Sequence, residues 1–336
     1  MTTGTRQSVL IVGGSGVVGS LAAKTLRKLH PDLPITIGGR DRTKAAAVAA
    51  QIGRAQAVHV DLGRADLGQP ANEIYSAIVM FVKDDRMNAL RYAQRTGAAY
   101  VDISTAAFEI APEVALYAQR PKSAPVLLTS HWLAGSATLP ALHFAKSYAS
   151  LESVAVGVVL DEKDMGGPAA YADYERQTKA GQSALILKDG KWIWVGGEDS
   201  SRSFVTVDGT ELKGQAYPML DTMSIAAATD ARSVRFDLVL GETATRRRGE
   251  PFSTEIVIEL EGMRKDGSRG RSRHELVHPE GQAPMTAVGV AVGVERLLGL
   301  AAGERVAPGL YQPNVLIEPA HMLERLAAFG TRIRSI

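Results

Sequence analysis

Short apolar runs alternate with amphipathic stretches through the first third of the chain. Runs at Ser8–Val12, Pro34–Ile37, Ala57–Val60, Ser76–Val82, Ala99–Ile103 and Pro125–Leu128 have the length of buried strands, and each adjoins a segment with apolar residues at three- and four-residue spacing. Such alternation predicts a parallel sheet with crossover helices on both faces. The first helix is expected to carry Val18, Leu21, Ala22, Thr25, Leu26 and Leu29 on one face and to end at His30-Pro31. Another is predicted to open with Asp84 or Asp85 as its N-cap and to close on Gly97, which tolerates the left-handed conformation.

The pattern changes after about residue 131. Asp189-Gly190 separates Ala184–Leu187 from Trp192–Val195, and Asp208-Gly209 separates Phe204–Val207 from Glu211–Lys213, as hairpin turns with positive φ do. Longer alternating runs at Ser153–Leu160, Ser233–Leu240, Thr254–Leu260 and Arg271–Val277 complete an expected sheet that is largely antiparallel. The chain then turns helical over Thr286–Leu300, passes a Pro-broken stretch at Pro308–Pro319 and ends in a predicted helix, His321–Phe329. The basic clusters Arg246-Arg247-Arg248 and Arg264 to Arg273 read as solvated loop charges.

With 336 residues, 45% hydrophobic and 22% charged, the chain has material for one large or two ordinary domains and is too apolar to be disordered. Its 38 basic and 36 acidic residues leave a formal charge of +2, so no strong field recommends a nucleic acid or an anionic membrane as partner. Cys 0 excludes thiolate nucleophiles, disulfides and cysteine-bound zinc. The N-terminal stretch lacks the basic start and long apolar core of a signal peptide, and no apolar run is long enough to span a bilayer. A cytoplasmic protein is expected.

Gly13-Gly14-Ser15-Gly16-Val17-Val18-Gly19 contains G-x-G-x-x-G directly after a strand and directly before an amphipathic helix. In that context the glycines allow the tight turn, the approach of a pyrophosphate to backbone N–H groups and close helix–strand packing. The anion would sit at the helix N-terminus, against unpaired N–H groups and the positive end of the dipole. The fold class expected is therefore α/β: a Rossmann doubly wound parallel sheet with an inserted α+β domain on a mixed, largely antiparallel sheet. Residues 1–131 would be the nucleotide-binding domain, 132–285 a substrate and dimerisation domain, and 286–336 a helical segment returning to the first domain.

About 20 residues beyond the loop, an NAD site places an acidic side chain on the ribose 2′-hydroxyl. This chain reads Gly38-Gly39-Arg40-Asp41-Arg42 there. Gly39 leaves room for a phosphate, Arg40 offers a planar fork to bind it, and Arg42 and Lys44 follow. NADP(H) is the expected cofactor, with NAD(H) the weaker alternative. Asp41 is the dissenting residue, and N-cap of the helix near Thr43 is its other reading. Asp61, after the third strand, joins the expected cofactor-binding residues.

The opening VLIVGGSGVVGSLAAKTL, the segment Gly97-Ala98-Ala99-Tyr100-Val101-Asp102-Ile103-Ser104 and the later Val306-Ala307-Pro308-Gly309-Leu310-Tyr311-Gln312-Pro313 resemble the saccharopine dehydrogenase-like family of NAD(P)-dependent oxidoreductases. The resemblance covers about residues 8–131 and 285–330. It implies a Rossmann domain interrupted by a mixed-sheet domain, and a reaction at a C–N bond of an amino-acid-derived imine, with other reductions among relatives. By the same resemblance Asp102 and Ser104 would lie near the reactive end of the cofactor. After the fourth strand, where family members carry a Pro- and Gly-containing stretch, this chain reads Val79-Met80-Phe81-Val82-Lys83-Asp84.

Ligands of doubly wound sheets lie beyond the carboxyl ends of the strands. This nominates Met80 to Lys83, with Phe81 and Val82 against the cofactor, together with Ile103 to Thr105 and Thr129 to Trp132. Hydride transfer also needs a group that moves the accompanying proton. His131 is the first candidate, because it follows the sixth strand and an unperturbed imidazole titrates near neutrality. A structural histidine is the competing reading. Asp102 either takes part in the chemistry or anchors loop N–H groups. Lys83 either orients a substrate carboxylate or donates a proton, or it caps its strand as a surface charge. A helix over Ala169–Ala180 places Tyr171, Tyr174 and Thr178 on one side, where they would roof a pocket, with at least one tyrosine expected in core packing.

The seven histidines are scattered, His274 and His278 are spaced too far apart along a strand to chelate easily, and no G-x-S-x-G elbow is present, so neither a metal site nor a serine hydrolase is expected. The expectation is an NADPH-dependent reductase of a small organic C=N or C=O group. Reduction of an activated C=C bond and a non-catalytic NADP(H) sensor are the alternatives. A small-molecule substrate and a homodimer are expected.

Overall fold

The six apolar runs of the first third form strands β1 (Val9–Val12), β2 (Ile35–Gly39), β3 (Ala55–His59), β4 (Ala77–Met80), β5 (Ala99–Asp102) and β6 (Pro125–Leu128). Apart from β3, whose residues are half-buried or exposed, these strands are buried almost throughout, which suits strands covered on both faces. With Gly309–Tyr311 added beside β6, they make a seven-stranded sheet, all parallel, in the spatial order 3-2-1-4-5-6 followed by the late strand. The order reverses at β1, where doubly wound sheets bind ligands.

A computed structural model describes residues 7–164, 166–301 and 303–336. It divides into two units. The first holds the described part of Met1–Thr105 with Glu109–Thr129 and Ala287–Leu316; the second holds Ala106–Phe108, Ser130–Thr286 and Ile317–Ile336. Residues 317–336, part of the segment expected to return to the first domain, thus group with the second unit.

In the first unit, helix α1 (Val17–Leu29) buries Gly19, Ala22, Ala23, Thr25 and Leu26 and leaves Lys24 and Lys28 exposed. Burying a leucine contributes roughly 1.5–3 kcal/mol, so this stripe settles which face meets the sheet. Helix α2 (Arg42–Ile52) starts on Asp41, whose Oδ1 accepts from the N–H groups of Thr43 and Lys44 at 3.0 and 3.1 Å. Helix α3 (Asn88–Thr96) ends on Gly97 at φ 75°, as expected. Its start differs from the expectation: Met87 occupies the N-cap at φ 53°, and Asp84 acts from further upstream, accepting from the N–H groups of Arg86 and Ala89. A turn within residues 84–87 sets the helix back, and the carboxylate still satisfies its first turn. Helix α4 (Ile110–Ala118) lies between β5 and β6 in the chain.

In the second unit, α5 (Thr138–Ala145) precedes a long strand, β7 (Tyr148–Asp161), and α6 (Pro168–Ala180) follows it. Next come β8 (Ser183–Lys188), β9 (Lys191–Gly196), β10 (Ser201–Val205), β11 (Glu211–Ala216), helix α7 (Leu220–Ala228), β12 (Ser233–Gly241), β13 (Thr254–Arg264) and β14 (Arg269–His278). The main path of the sheet runs β10-β11-β12-β7-β13-β14 and ends on Arg332–Ser335, with the β8–β9 hairpin attached to β12. Among the described residues only the β12–β7 pair of this sheet is parallel, so the sheet is mixed and largely antiparallel. Asp189 and Gly190 both take positive φ at the tip of the β8–β9 hairpin, the conformation that its dipeptide predicts.

Two expectations are corrected here. The basic clusters are solvated only in part: Arg248, Arg269 and Arg271 are exposed, whereas Arg246 pairs with Asp161 at 2.8 Å and is only 11% exposed, Arg247 pairs with Asp208, and Arg273 pairs with Glu275. Asp161 and Asp208 are remote in sequence from their arginines, so a local charge run does not reveal those two pairs. Helix α6 contributes no tyrosine to a core, because none of its residues is buried.

Candidate functional site

The phosphate loop separates glycines that packing requires from glycines that it does not. A Cβ at Gly14 would stand 2.8 Å from the Ile11 carbonyl oxygen, and one at Gly19 would stand 2.5 Å from that of Gly13. Gly13 itself takes φ 79°, with Val82 and the Phe81 side chain packed over its Cα. By contrast, a Cβ at Gly16 would meet only the Gly13 oxygen at 3.2 Å, and Gly16 is exposed with extended backbone at φ −78°. Its small size is explained best by space for a ligand. No side chain caps α1 there, and its first turn carries no acidic residue, so the positive end of the helix dipole faces outward uncompensated by the protein.

The β2 end is built in the same way. Gly38 has no room for a side chain, because Val60 and Leu10 would lie 2.8 and 2.9 Å from its Cβ. Gly39 has room: its nearest neighbour would be Ser15 Oγ at 3.6 Å. Ser15 of the loop and Gly39 of the β2 end therefore lie side by side, and Arg40, Arg42 and Lys44 are exposed just beyond. Asp41 is occupied as the cap of α2, its role as the dissenting residue explained by that task. Asp61 turns its carboxylate to the N–H of Gly63 at 2.8 Å, shaping the loop after β3. These residues fit a dinucleotide with an added adenosine phosphate: N–H groups and an open glycine for the diphosphate, and guanidinium groups for the ester.

At the carboxyl ends of β4 and β5 the polar groups are buried or half-buried. Phe81 is buried with its N–H bonded to the Val12 carbonyl at 3.0 Å, which joins the β4 end to the phosphate loop. Lys83 pairs with Glu109 at 3.1 Å, so it is neither a lone surface charge nor an unpaired cation. Asp102 is 2% exposed, and its Oδ1 accepts from the backbone N–H and the hydroxyl of Ser104 at 3.1 and 3.2 Å. Sequence reasoning missed Glu113, in the first turn of α4. It is buried beside Asp102 and accepts from the Thr105 hydroxyl at 3.0 Å. Burial, then the Asp102 charge, pushes its pKa up to about 8.

His131 and Tyr171 belong to the second unit. His131 is 3% exposed, with Nε2 hydrogen-bonded to Ser224 Oγ at 2.7 Å, and burial pushes its pKa down to about 3. An imidazole so held is neutral at physiological pH. Burial disfavours its imidazolium form. Two left-handed residues, Leu133 and Ala134, follow it, and Asp221 of α7 holds this turn from the Trp132 N–H. Tyr171 is 46% exposed on α6. An open groove of about 840 Å³ in the first unit, lined in part by Arg64, Asp66, Tyr92 and Arg95, shares no residue with the phosphate loop or with the strand ends.

Comparison with known proteins agrees with this geometry. The family model of the saccharopine dehydrogenase NADP binding domain matches residues 9–128, the span of β1 to β6. Apo saccharopine dehydrogenase (L-Glu forming) from Saccharomyces cerevisiae superposes with a TM-score of 0.66 at 15% identity, covering 98% of this chain and 100% of that one, and shows that the fold is shared. GenD2 from gentamicin A biosynthesis, in complex with NAD, has a TM-score of 0.48 at 11% identity, covering 100% of this chain and 98% of its own. A myo-inositol dehydrogenase from Corynebacterium glutamicum has a TM-score of 0.48 at 12% identity, covering 98% and 99%. No curated protein matches the chain.

Proposed function

We propose, on the premise that this chain is a saccharopine dehydrogenase-like NAD(P)-dependent oxidoreductase with an NADP-binding domain at residues 9–128, that it uses NADPH to reduce a C=N or C=O group of a small organic substrate. The observation that carries the cofactor half is the uncapped start of α1 beside an exposed Gly16, with Ser15 and Gly39 adjacent and Arg40 beyond. NADPH, when bound, supplies the hydride. The N–H groups of residues 17–19 would hold its diphosphate, and Arg40 with Arg42 its adenosine phosphate. Phe81 and Val82, packed on Gly13, would form the wall on which the cofactor rests.

Reduction of C=N or C=O also places a proton on nitrogen or oxygen, and groups that hold or move protons supply it. Asp102, Ser104 and Glu113 form such a group at the β5 end, and Lys83, held by Glu109, adds a positive charge near them. In this reading His131 is a neutral hydrogen-bonding residue. The proposal includes a homodimer: Trp192 and Trp194, on one face of β9, are 47% and 65% exposed, an apolar pair that a second copy would cover.

NADPH oxidation should be followed with panels of imines, ketones and enoyl compounds. Turnover confined to imines or carbonyls supports the proposal. Turnover of enoyl compounds alone transfers it to C=C reduction, and NADPH binding without turnover of any panel favours a sensor. Light scattering that gives the mass of one chain would remove the dimer.

A further inference from the structure

Two carboxyl groups at the β5 end of the first unit are buried, each with one oxygen that lacks a donor. Asp102 is 2% and Glu113 7% exposed. Asp102 Oδ1 is used by Ser104, and Glu113 Oε1 is used by Thr105. The remaining oxygens, Asp102 Oδ2 and Glu113 Oε2, are both buried and without a donor from any other residue. Two carboxylate oxygens repel, whereas a carboxyl and a carboxylate attract through a shared proton, and burial makes the second charge costly. The Asp102 charge adds to burial in raising the hold of Glu113 on its proton.

The surroundings do not offset a second charge fully. Lys83, after β4, is the cation that acts on Glu113, and it is already matched by Glu109 at 3.1 Å. Asp84 is a further carboxylate in the field of Asp102, and burial pushes its own pKa up. The Tyr100 hydroxyl, fully buried on β5, is held protonated by burial and by Asp102, Glu113 and Asp84. Net charge at the β5 end therefore changes when the pair loses its proton.

We propose that Asp102 and Glu113 hold one proton between them, and that its release to solvent turns a singly negative strand end into a doubly negative one, which favours the oxidised, cationic nicotinamide over the reduced, neutral one. Glu113 acts through Asp102 and is a positioning residue. The cofactor half of this inference rests on the reading that the nicotinamide lies at the carboxyl ends of β4 and β5. The proton half does not.

The test uses the full chain and the variants Glu113→Gln and Asp102→Asn, in which an amide can supply the missing donor without a titrating proton. Infrared difference spectra of the apo protein between about pH 7 and about pH 9.5, above the range in which Asp164 and Asp221 lose their protons, bracket the proton loss expected at mildly basic pH. A buried carboxylic-acid carbonyl band that disappears on raising the pH in the wild type, and is missing from both variants, supports the shared proton. Absence of the band at the acid end overturns it, as does its persistence in both variants. Calorimetric affinities over the same range should show the preference for NADP⁺ over NADPH rising about fivefold or more in the wild type, the lower range of coupling between distinct sites. The same preference should stay flat in Glu113→Gln. A flat wild-type preference with the band intact overturns the link to the cofactor alone, and no binding of either nucleotide overturns that link together with the cofactor reading while leaving the proton pair standing.

Discussion

The Asp221 carboxylate accepts from the backbone N–H of Trp132 at 2.7 Å and, through its other oxygen, from the Thr138 hydroxyl at 2.6 Å. These bonds tie α7 to the turn that contains Leu133 and Ala134, whose positive φ values need an outside constraint. Asp221 is fully buried. Asp221→Ala leaves two buried donors unpaired, at about 1–3 kcal/mol each. Chemical denaturation should show a loss of about 2–6 kcal/mol. An unchanged midpoint would mean that the turn is held by packing alone.

Burial also pushes the pKa of Asp221 up to about 6. The folded form thus binds its proton more tightly than the unfolded chain does. Its contribution to stability is present below the ordinary aspartate pKa and is lost as pH rises toward about 6. His131 runs the other way on the pH axis. Its pKa is pushed down to about 3, so stability from the neutral ring is present above the ordinary imidazole range and is lost as pH falls. Denaturation midpoints of His131→Gln should fall less steeply on acidification below about pH 6.5 than those of the wild type. Equal slopes would show that His131 does not carry this acid sensitivity.

Different glycines of the loop should fail in different ways. Gly19→Ala forces a Cβ to 2.5 Å from the Gly13 oxygen and should cost about 1–3 kcal/mol of stability. Gly16→Ala meets no such overlap and should cost no more than about 1 kcal/mol, while lowering NADPH affinity by about tenfold. If Gly16→Ala binds NADPH like the wild type, the space there does not serve the diphosphate.

Arg40→Asp replaces a fork for the 2′-phosphate by a repelling charge. NADPH affinity should fall by about tenfold or more, and NADH affinity should change little or rise. Equal loss for the two cofactors would contradict the role given to Arg40.

What could be read in the sequence was what is local in the chain. The phosphate loop, β1 to β6 and the Asp41 cap each depend on residues within a few positions of one another, and the structure places them as their patterns predict, with strand ends shifted by a few residues. Glu113 was not legible, because a glutamate in the first turn of a helix ordinarily faces water; only the return of α4 beside β5 buries it against Asp102. Asp221 was missed for the same reason, since its partners Trp132 and Thr138 are more than 80 residues away. His131 was found by its place after β6, but its chemistry depends on burial and on Ser224, which no local pattern encodes.

Isothermal titration of the purified chain with NADPH and with NADH tests the account at its centre. It predicts binding of NADPH at one site per chain and affinity for NADH weaker by about tenfold or more. Absence of binding heat with both nucleotides across several temperatures, or tighter binding of NADH, would contradict it.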